Sequence, residues 1–266
     1  MTDMSLAEAL AATEDANGDL IAPAPPNWMQ GRTTYGGYSA ALLLHAAQSL
    51  TPDPPPIRSA LINFTGPISS APTLTAKTLR AGRNVTTVSA DATLDGAVAA
   101  TGVFTFGGAR ASEIDASLPA PDAPPPDALE PLVPPQAAPF VPRFLQNFDM
   151  RLIDGHRPYS GASEGYLRCW GRHKDEASRE GPVSLFCFAD GLPPAVFATL
   201  NKRTTNSSMT WICNFLSDDL TTEDGWWQTE TRMTAAKGGY SSQVMRIWNS
   251  RGDLVVEGMQ SVIIFG

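Results

Sequence analysis

The order of apolar and polar positions divides this chain into two halves built on the same plan. The run Tyr38–Gln48 (YSAALLLHAAQ) is apolar almost all the way round, interrupted only by Ser39, His45 and Gln48. A helix with no polar face is buried on all sides. Strand patterns follow near residues 57–66, 73–82, 84–94 and 97–106, rich in Val and Thr, with Asp95-Gly96 as a hairpin signal. Upstream, Ser5-Leu6-Ala7-Glu8 has the spacing of a capping box and opens a short helix to about Thr13, with a short strand near 18–22.

The second half repeats this plan. A strand near 163–173 leads into an apolar segment, Val183–Leu200, and strands follow near 207–216, 226–236, 239–249 and 253–265. Pro193 restrains Leu192 from helical angles, so the apolar segment breaks just after Asp190. Between the halves, residues 119–142 hold ten of the chain's 23 prolines and read as an extended linker. The expected organisation is an N-terminal unit over 1–110, a proline-rich connection over 111–142 and a C-terminal unit over 143–266. Two helix-plus-meander units make an α+β protein whose sheets can pair edge to edge.

The repeat can be aligned. Setting Gly102 of Ala100-Thr101-Gly102-Val103-Phe104 on Gly258 of Val256-Glu257-Gly258-Met259-Gln260 places Phe104 on Gln260. Strand alternation puts Gln260 on an otherwise apolar face with Val256, Gly258, Val262 and Ile264, where an amide needs partners. Asp190 follows Leu185-Phe186-Cys187-Phe188-Ala189, and a carboxylate there is a solvated helix end or a desolvated functional group. Ser208 lies in a run of hydroxyl residues at a strand start. Gly36-Gly37 precedes the most buried helix, where free amides can meet an anion or a carbonyl, or where a tight turn needs glycine.

Composition narrows the possible partners. The formal net charge of -8 disfavours nucleic acid and anionic membrane surfaces, both of which need clustered Lys and Arg. The three cysteines are far apart without a C-x-x-C, which fits buried thiols in a reducing compartment. No signal peptide or membrane span is expected, and a cytoplasmic protein is. Gly161-Ala162-Ser163-Glu164-Gly165 matches G-x-S-x-G but lacks the strand before and helix after that a nucleophile elbow needs. His45, His156 and His173 are isolated, without ligand spacing.

The chain resembles the acyl-CoA thioesterase II-like family. The resemblance rests on Gly31–Leu44, Asn63-Phe64-Thr65-Gly66-Pro67, Thr78–Asn84 and Asn249–Gln260. It implies a double hotdog fold and hydrolysis of acyl-CoA thioesters without metal or organic cofactor. It also implies an Asp, a hydroxyl and a Gln around a water, carried here by Asp190, Ser208 and Gln260. Ser207 and Thr210 are neighbouring hydroxyls that could serve instead of Ser208. Substrate contacts are expected at Gly36, Gly37 and Tyr38, and a homodimer or larger homo-oligomer is expected from free sheet edges. Asp190 acts as general base or attacks directly to give a mixed anhydride. The chain departs from the family pattern at Thr210, where an Asp is usual, and at Gly191-Leu192-Pro193-Pro194. A non-catalytic acyl-CoA or lipid binder, a hotdog hydratase or dehydratase, and a scaffold are the other readings.

Overall fold

The computed structural model describes residues 2–51 and 53–265. In chain order it contains α1 (Leu6–Ala11), β1 (Glu14–Ala16), β2 (Asp19–Ile21), β3 (Met29–Gln30), β4 (Thr33–Thr34) and α2 (Gly36–Ser49). The first meander is β5 (Ile57–Phe64), β6 (Thr73–Ala81), β7 (Val85–Leu94) and β8 (Ala97–Gly107). Then come β9 (Phe148–Gly155), β10 (Tyr166–His173), α3 (Gly181–Ala189), β11 (Thr205–Phe215), β12 (Trp227–Lys237), β13 (Tyr240–Trp248) and β14 (Leu254–Phe265).

All strands except the β3–β4 pair join one antiparallel sheet of 12 strands, ordered β1-β2-β6-β7-β8-β5-β11-β14-β13-β12-β10-β9. The seam is the β5–β11 pair, with Ile62 opposite Trp211 and Ala60 opposite Cys213. Edge-to-edge pairing thus merges the two meanders into a single sheet and removes two open edges. Helices α2 and α3 pack on each other at its inner face. From α3, Phe186 stacks on Trp211 of β11 and meets Phe104 of β8 edge-on, which draws both halves into one core. This is two hotdog units in one chain.

Strand register repeats between the halves. Gly102 lies opposite Ile62 and Phe104 opposite Ala60. Gly258 lies opposite Cys213 and Gln260 opposite Trp211. The seam pairs Ile62 with Trp211 and Cys213 with Ala60, which is the exchange a two-fold axis between β5 and β11 requires. The sequence alignment of Phe104 with Gln260 is therefore an equivalence in space. The outer hairpins repeat too, with register shifts between Thr78 and Arg80 in one half and between Met233 and Ala235 in the other.

Two features differ from the sequence expectation. Strand β9 was not anticipated, although Phe148-Asp149-Met150-Arg151-Leu152 alternates; it lies directly after the prolines and pairs with β10. The proline-rich stretch is extended except for 3-10 turns at Pro126–Ala128 and Pro135–Phe140, and it does not hang free. Its carbonyls accept from side chains on β10, β12 and β13: Leu118 from Trp248, Pro121 from Gln228, Asp122 from Arg168 and Pro124 from Trp170. Proline lacks the amide a sheet ladder needs but keeps its carbonyl, so Pro121 and Pro124 dock as acceptors, while the Ala120 and Leu132 amides donate to the Gly252 and Met150 carbonyls.

The capping box of α1 forms as its spacing predicts. The Gly161–Gly165 segment is a loop between β9 and β10. Gly238 and Gly239 form the β12–β13 turn, both at positive φ. No helix among the described residues is long and apolar enough to cross a membrane.

Candidate active site

The chemistry gathers where the end of α3 meets the start of α2. Helix α3 stops at Asp190, which is followed by Gly191 and the two prolines, so the break leaves the carboxylate at a helix terminus. Helix α2 has no side-chain cap of its own; its N-cap residue is Tyr35. The amide of Gly37 instead lies near the Asp190 carboxylate and favours its charged form. Asp190 thus sits over the start of α2 from another element and sets negative charge at the positive end of the helix.

Only glycine permits this approach. A Cβ at Gly36 would lie 2.6 Å from Asp190 Oδ2. A Cβ at Gly37 would overlap the carbonyl oxygen of Cys187 and lie 2.5 Å from the Tyr35 hydroxyl. Gly36→Ala meets little else than the carboxylate and the Phe64 ring. It is expected to displace the carboxylate and lower turnover about 100-fold, while thermal melting shows a fold retained. Wild-type turnover in Gly36→Ala would mean that the carboxylate position does not matter.

The second support comes from the sheet. Gln260 Nε2 donates to Asp190 Oδ1 at 2.7 Å. Burial pushes the Asp190 carboxyl up to about 7, against the opposing effect of the Gln260 and Gly37 amides. Residue Asp190 nonetheless keeps part of its surface open to solvent. The other titratable neighbours, Tyr35, Cys187 and Cys213, are all pushed up by burial first and by the Asp190 charge second. They stay neutral near pH 7, so the carboxyl is the group of this cluster that titrates there.

Ser208 reaches the same side of the sheet through a bulge. It lies opposite Val262, and the register then shifts so that Thr210 faces Ser261 and Trp211 faces Gln260. Directly opposed residues share a face, so Ser208 points inward with Val262 and Gln260. Strict alternation from Trp211 would have turned Ser208 outward. Thr210 and Ser207 are exposed, and the Ser207 hydroxyl donates to the Ser208 carbonyl. Of the three neighbouring hydroxyls, Ser208 is the one on the face of Gln260. Among the described residues, no hydrogen bond joins Ser208 to Asp190 or Gln260 directly.

Asp190, Gln260, Gly36 and Gly37 are therefore brought together, with Ser208 on the adjoining inner face. Tyr38 lies apart from them. It is fully buried, stacks on Trp28, and donates to the Pro23 carbonyl at 2.6 Å. Of the histidines, His173 is buried with Nε2 2.9 Å from the Ser184 carbonyl, and no hydrogen bond among the described residues links a histidine to Asp190. Sequence reasoning missed Gln243 on β13, whose amide donates to Gln260 Oε1 at 2.8 Å. The signal was a polar residue on the buried face of β13 between Ser241 and Met245.

Known proteins carry the same architecture. The acyl-CoA thioesterase N-terminal domain family matches residues 24–107, and the acyl-CoA thioesterase C-terminal domain family matches residues 120–264. Among solved structures, a conserved hotdog-fold protein of unknown function from Alicyclobacillus acidocaldarius superposes with a TM-score of 0.88 at 22% identity, covering 99% of each chain. The acyl-CoA thioesterase II TesB2 of Mycobacterium marinum gives 0.76 at 19% identity, over 97% of this chain and 98% of that one. The tesB protein of Mycobacterium avium subs paratuberculosis gives 0.77 at 18%, over 98% and 100%. No curated protein matched in the sequence search. With both family domains matched in order along one double hotdog, this chain belongs to the acyl-CoA thioesterase family and is a thioester hydrolase.

Proposed function

We propose that the protein hydrolyses acyl-CoA to a carboxylic acid and free CoA, with Asp190 as general base. The observation that carries this reading is the carboxyl itself. It accepts from the Gln260 amide, is raised to about 7, and belongs to a residue that keeps part of its surface exposed. A base with a pKa near working pH is well matched to taking a proton from water. The water sits between Asp190 and the Ser208 hydroxyl, beside the Gln260 amide. As it attacks the thioester carbon, its proton passes to Asp190 and negative charge develops on the carbonyl oxygen. The Gly36 amide at the start of α2 faces that oxygen. Collapse of the tetrahedral species breaks the carbon–sulfur bond, and the CoA thiolate takes the proton back from Asp190. Gly37 contributes indirectly, because its amide favours the ionised base.

The Gln260 side of the site belongs to the second unit and the α2 amides to the first, a division between residues 1–110 and 143–266 that the repeated register supports. A cytoplasmic setting agrees with three free, buried thiols. The short edge strand β1 and the longer β9 end the sheet, and pairing there would give a homo-oligomer.

The test is a panel of acyl-CoAs of different length and branching, read by release of free thiol. At least one is expected to turn over. Ser208→Ala is expected to lower kcat roughly 10- to 100-fold with little change in KM, because the water loses one of its holders. Binding of every acyl-CoA without thiol release would instead make the protein a non-catalytic acyl-CoA binder.

A further inference from the structure

The geometry points to Gln243 as a positioning residue that, through Gln260, keeps a donor aimed at the Asp190 carboxylate; its consequence for turnover rests on the thioesterase reading above. The relay begins at a group whose direction cannot change. The backbone amide of Ala195 only donates, and it donates to Gln243 Oε1 at 2.7 Å. Gln243 must then turn Nε2 toward Gln260, where it donates to Oε1 at 2.8 Å. Gln260 in turn presents Nε2 to Asp190 Oδ1 at 2.7 Å. A glutamine amide is nearly symmetric in shape, and a flipped Gln260 would set its carbonyl against the carboxylate. The Ala195 amide decides which way both side chains face.

Three further observations support the assignment. Both amides are sealed from water, at 1% and 2% exposure, so solvent does not set their orientation. They are directly opposed across β13 and β14, which fixes their separation. The equivalent pair in the first half is Val88 opposite Phe104. Both members of a cross-strand pair are thus apolar in the half without the carboxylate and polar in the half with it. A buried polar pair costs stability unless its hydrogen bonds are completed, and among the described residues Ala195 and Asp190 complete them. The Pro193-Pro194 break that departs from the family pattern also acquires a role. It ends in the 3-10 turn Ala195–Thr199, whose first amide starts the relay.

The experiment compares Gln243→Met, Gln243→Glu and Gln260→Leu with the wild type. Each is read by kcat and KM against pH and by the ¹³C titration of the Asp190 carboxyl, with folding checked by thermal melting. Met removes both polar atoms at similar volume. Glu keeps the acceptor for Ala195 and, once ionised, has no donor for Gln260, so its effect is read on the alkaline side of its own titration; it provides a second variant if Met fails to fold. Each variant weakens the hydrogen bond to the ionised carboxylate. The Asp190 pKa and the acidic limb of the rate profile are expected to move up by about one unit. The kcat at pH 8 is expected to fall roughly tenfold or more with KM within about twofold. Gln243→Met added to Gln260→Leu should cost nothing further, since both act on one donor. A Gln243 variant that folds, but leaves the carboxyl titration and the acidic limb where they are, overturns the relay. If the wild type cleaves no thioester while the titration still shifts in the variants, the relay holds and the thioesterase reading fails.

Discussion

Asp190→Asn is expected to reduce thiol release by about 10²- to 10⁴-fold. Asparagine has the same shape but cannot accept the proton of the attacking water. It can still take the Gln260 donor through its oxygen, so substrate binding should remain near that of the wild type, as measured by equilibrium titration with a non-hydrolysable thioether analogue. Near-full turnover in this variant would remove Asp190 from the mechanism. The same substitution has a second expected effect, on stability. The carboxyl titrates at about 7 in the folded chain against 3.8 when unperturbed. Below about 4 both folded and unfolded states are protonated and the group contributes nothing to the balance. Between there and about 7 the unfolded chain releases its proton first, so folding loses stability as pH rises, and the loss levels off above 7. An asparagine side chain carries no such penalty. The melting temperature of Asp190→Asn relative to wild type should therefore rise between pH 4 and pH 8. A difference that is flat across this window would mean that burial does not raise the carboxyl.

Gly37→Ala is expected to cost the most stability of any single methyl added at the site. The new Cβ would overlap the Cys187 carbonyl oxygen and the Tyr35 ring. Tyr35 cannot move aside easily. It is stacked on Phe144 with ring centres 4.0 Å apart, and its hydroxyl donates to that same carbonyl at 2.9 Å. Helix α2 must therefore move off α3, at a cost of about 3 kcal/mol, or a melting temperature lower by roughly 6–12 °C. The movement also separates the Gly37 amide from Asp190. Activity should fall even below the melting transition, and the acidic limb of the rate profile should rise. A Gly37→Ala enzyme with wild-type melting would mean that the helices are not in tight contact there. Gly36→Ala makes the contrasting case, because its Cβ meets the carboxylate rather than backbone. The pair separates the two roles of this glycine dipeptide: Gly36 leaves room for the base, and Gly37 leaves room for the helix that binds it.

Local chemistry explains why so much of this protein was legible in its sequence. Tyr38–Gln48 has no polar face, so it had to be the buried helix whatever surrounds it. Alternation in residues 97–106 and 253–265 marked strands and put Gln260 on an inner face. Pro193 forced the break after Asp190, and the Gly102–Gly258 alignment followed from the repeat. Apart from the alignment, which compares two distant copies of one pattern, each of these inferences uses residues within one or two turns or strands of each other, where propensity and periodicity act. The strand β9 was equally local in its signal and was obscured by the prolines beside it.

What the tertiary structure decided was register, direction and closure. That Gln243 lies opposite Gln260 depends on how β13 slides along β14. That Ser208 rather than Thr210 faces inward depends on a bulge of one residue in β11. The Gly37 amide reaches Asp190 across more than half the chain, and the Ala195 amide reaches Gln243 from a different turn. The proline segment finds its acceptors' partners only once β10, β12 and β13 stand side by side. Hydrophobic patterning determines which face of an element is buried, but it is indifferent to a shift that exchanges one inward residue for another two places along. Only the completed hydrogen bonds of the assembled sheet choose among those shifts, and in this protein those bonds orient the candidate base.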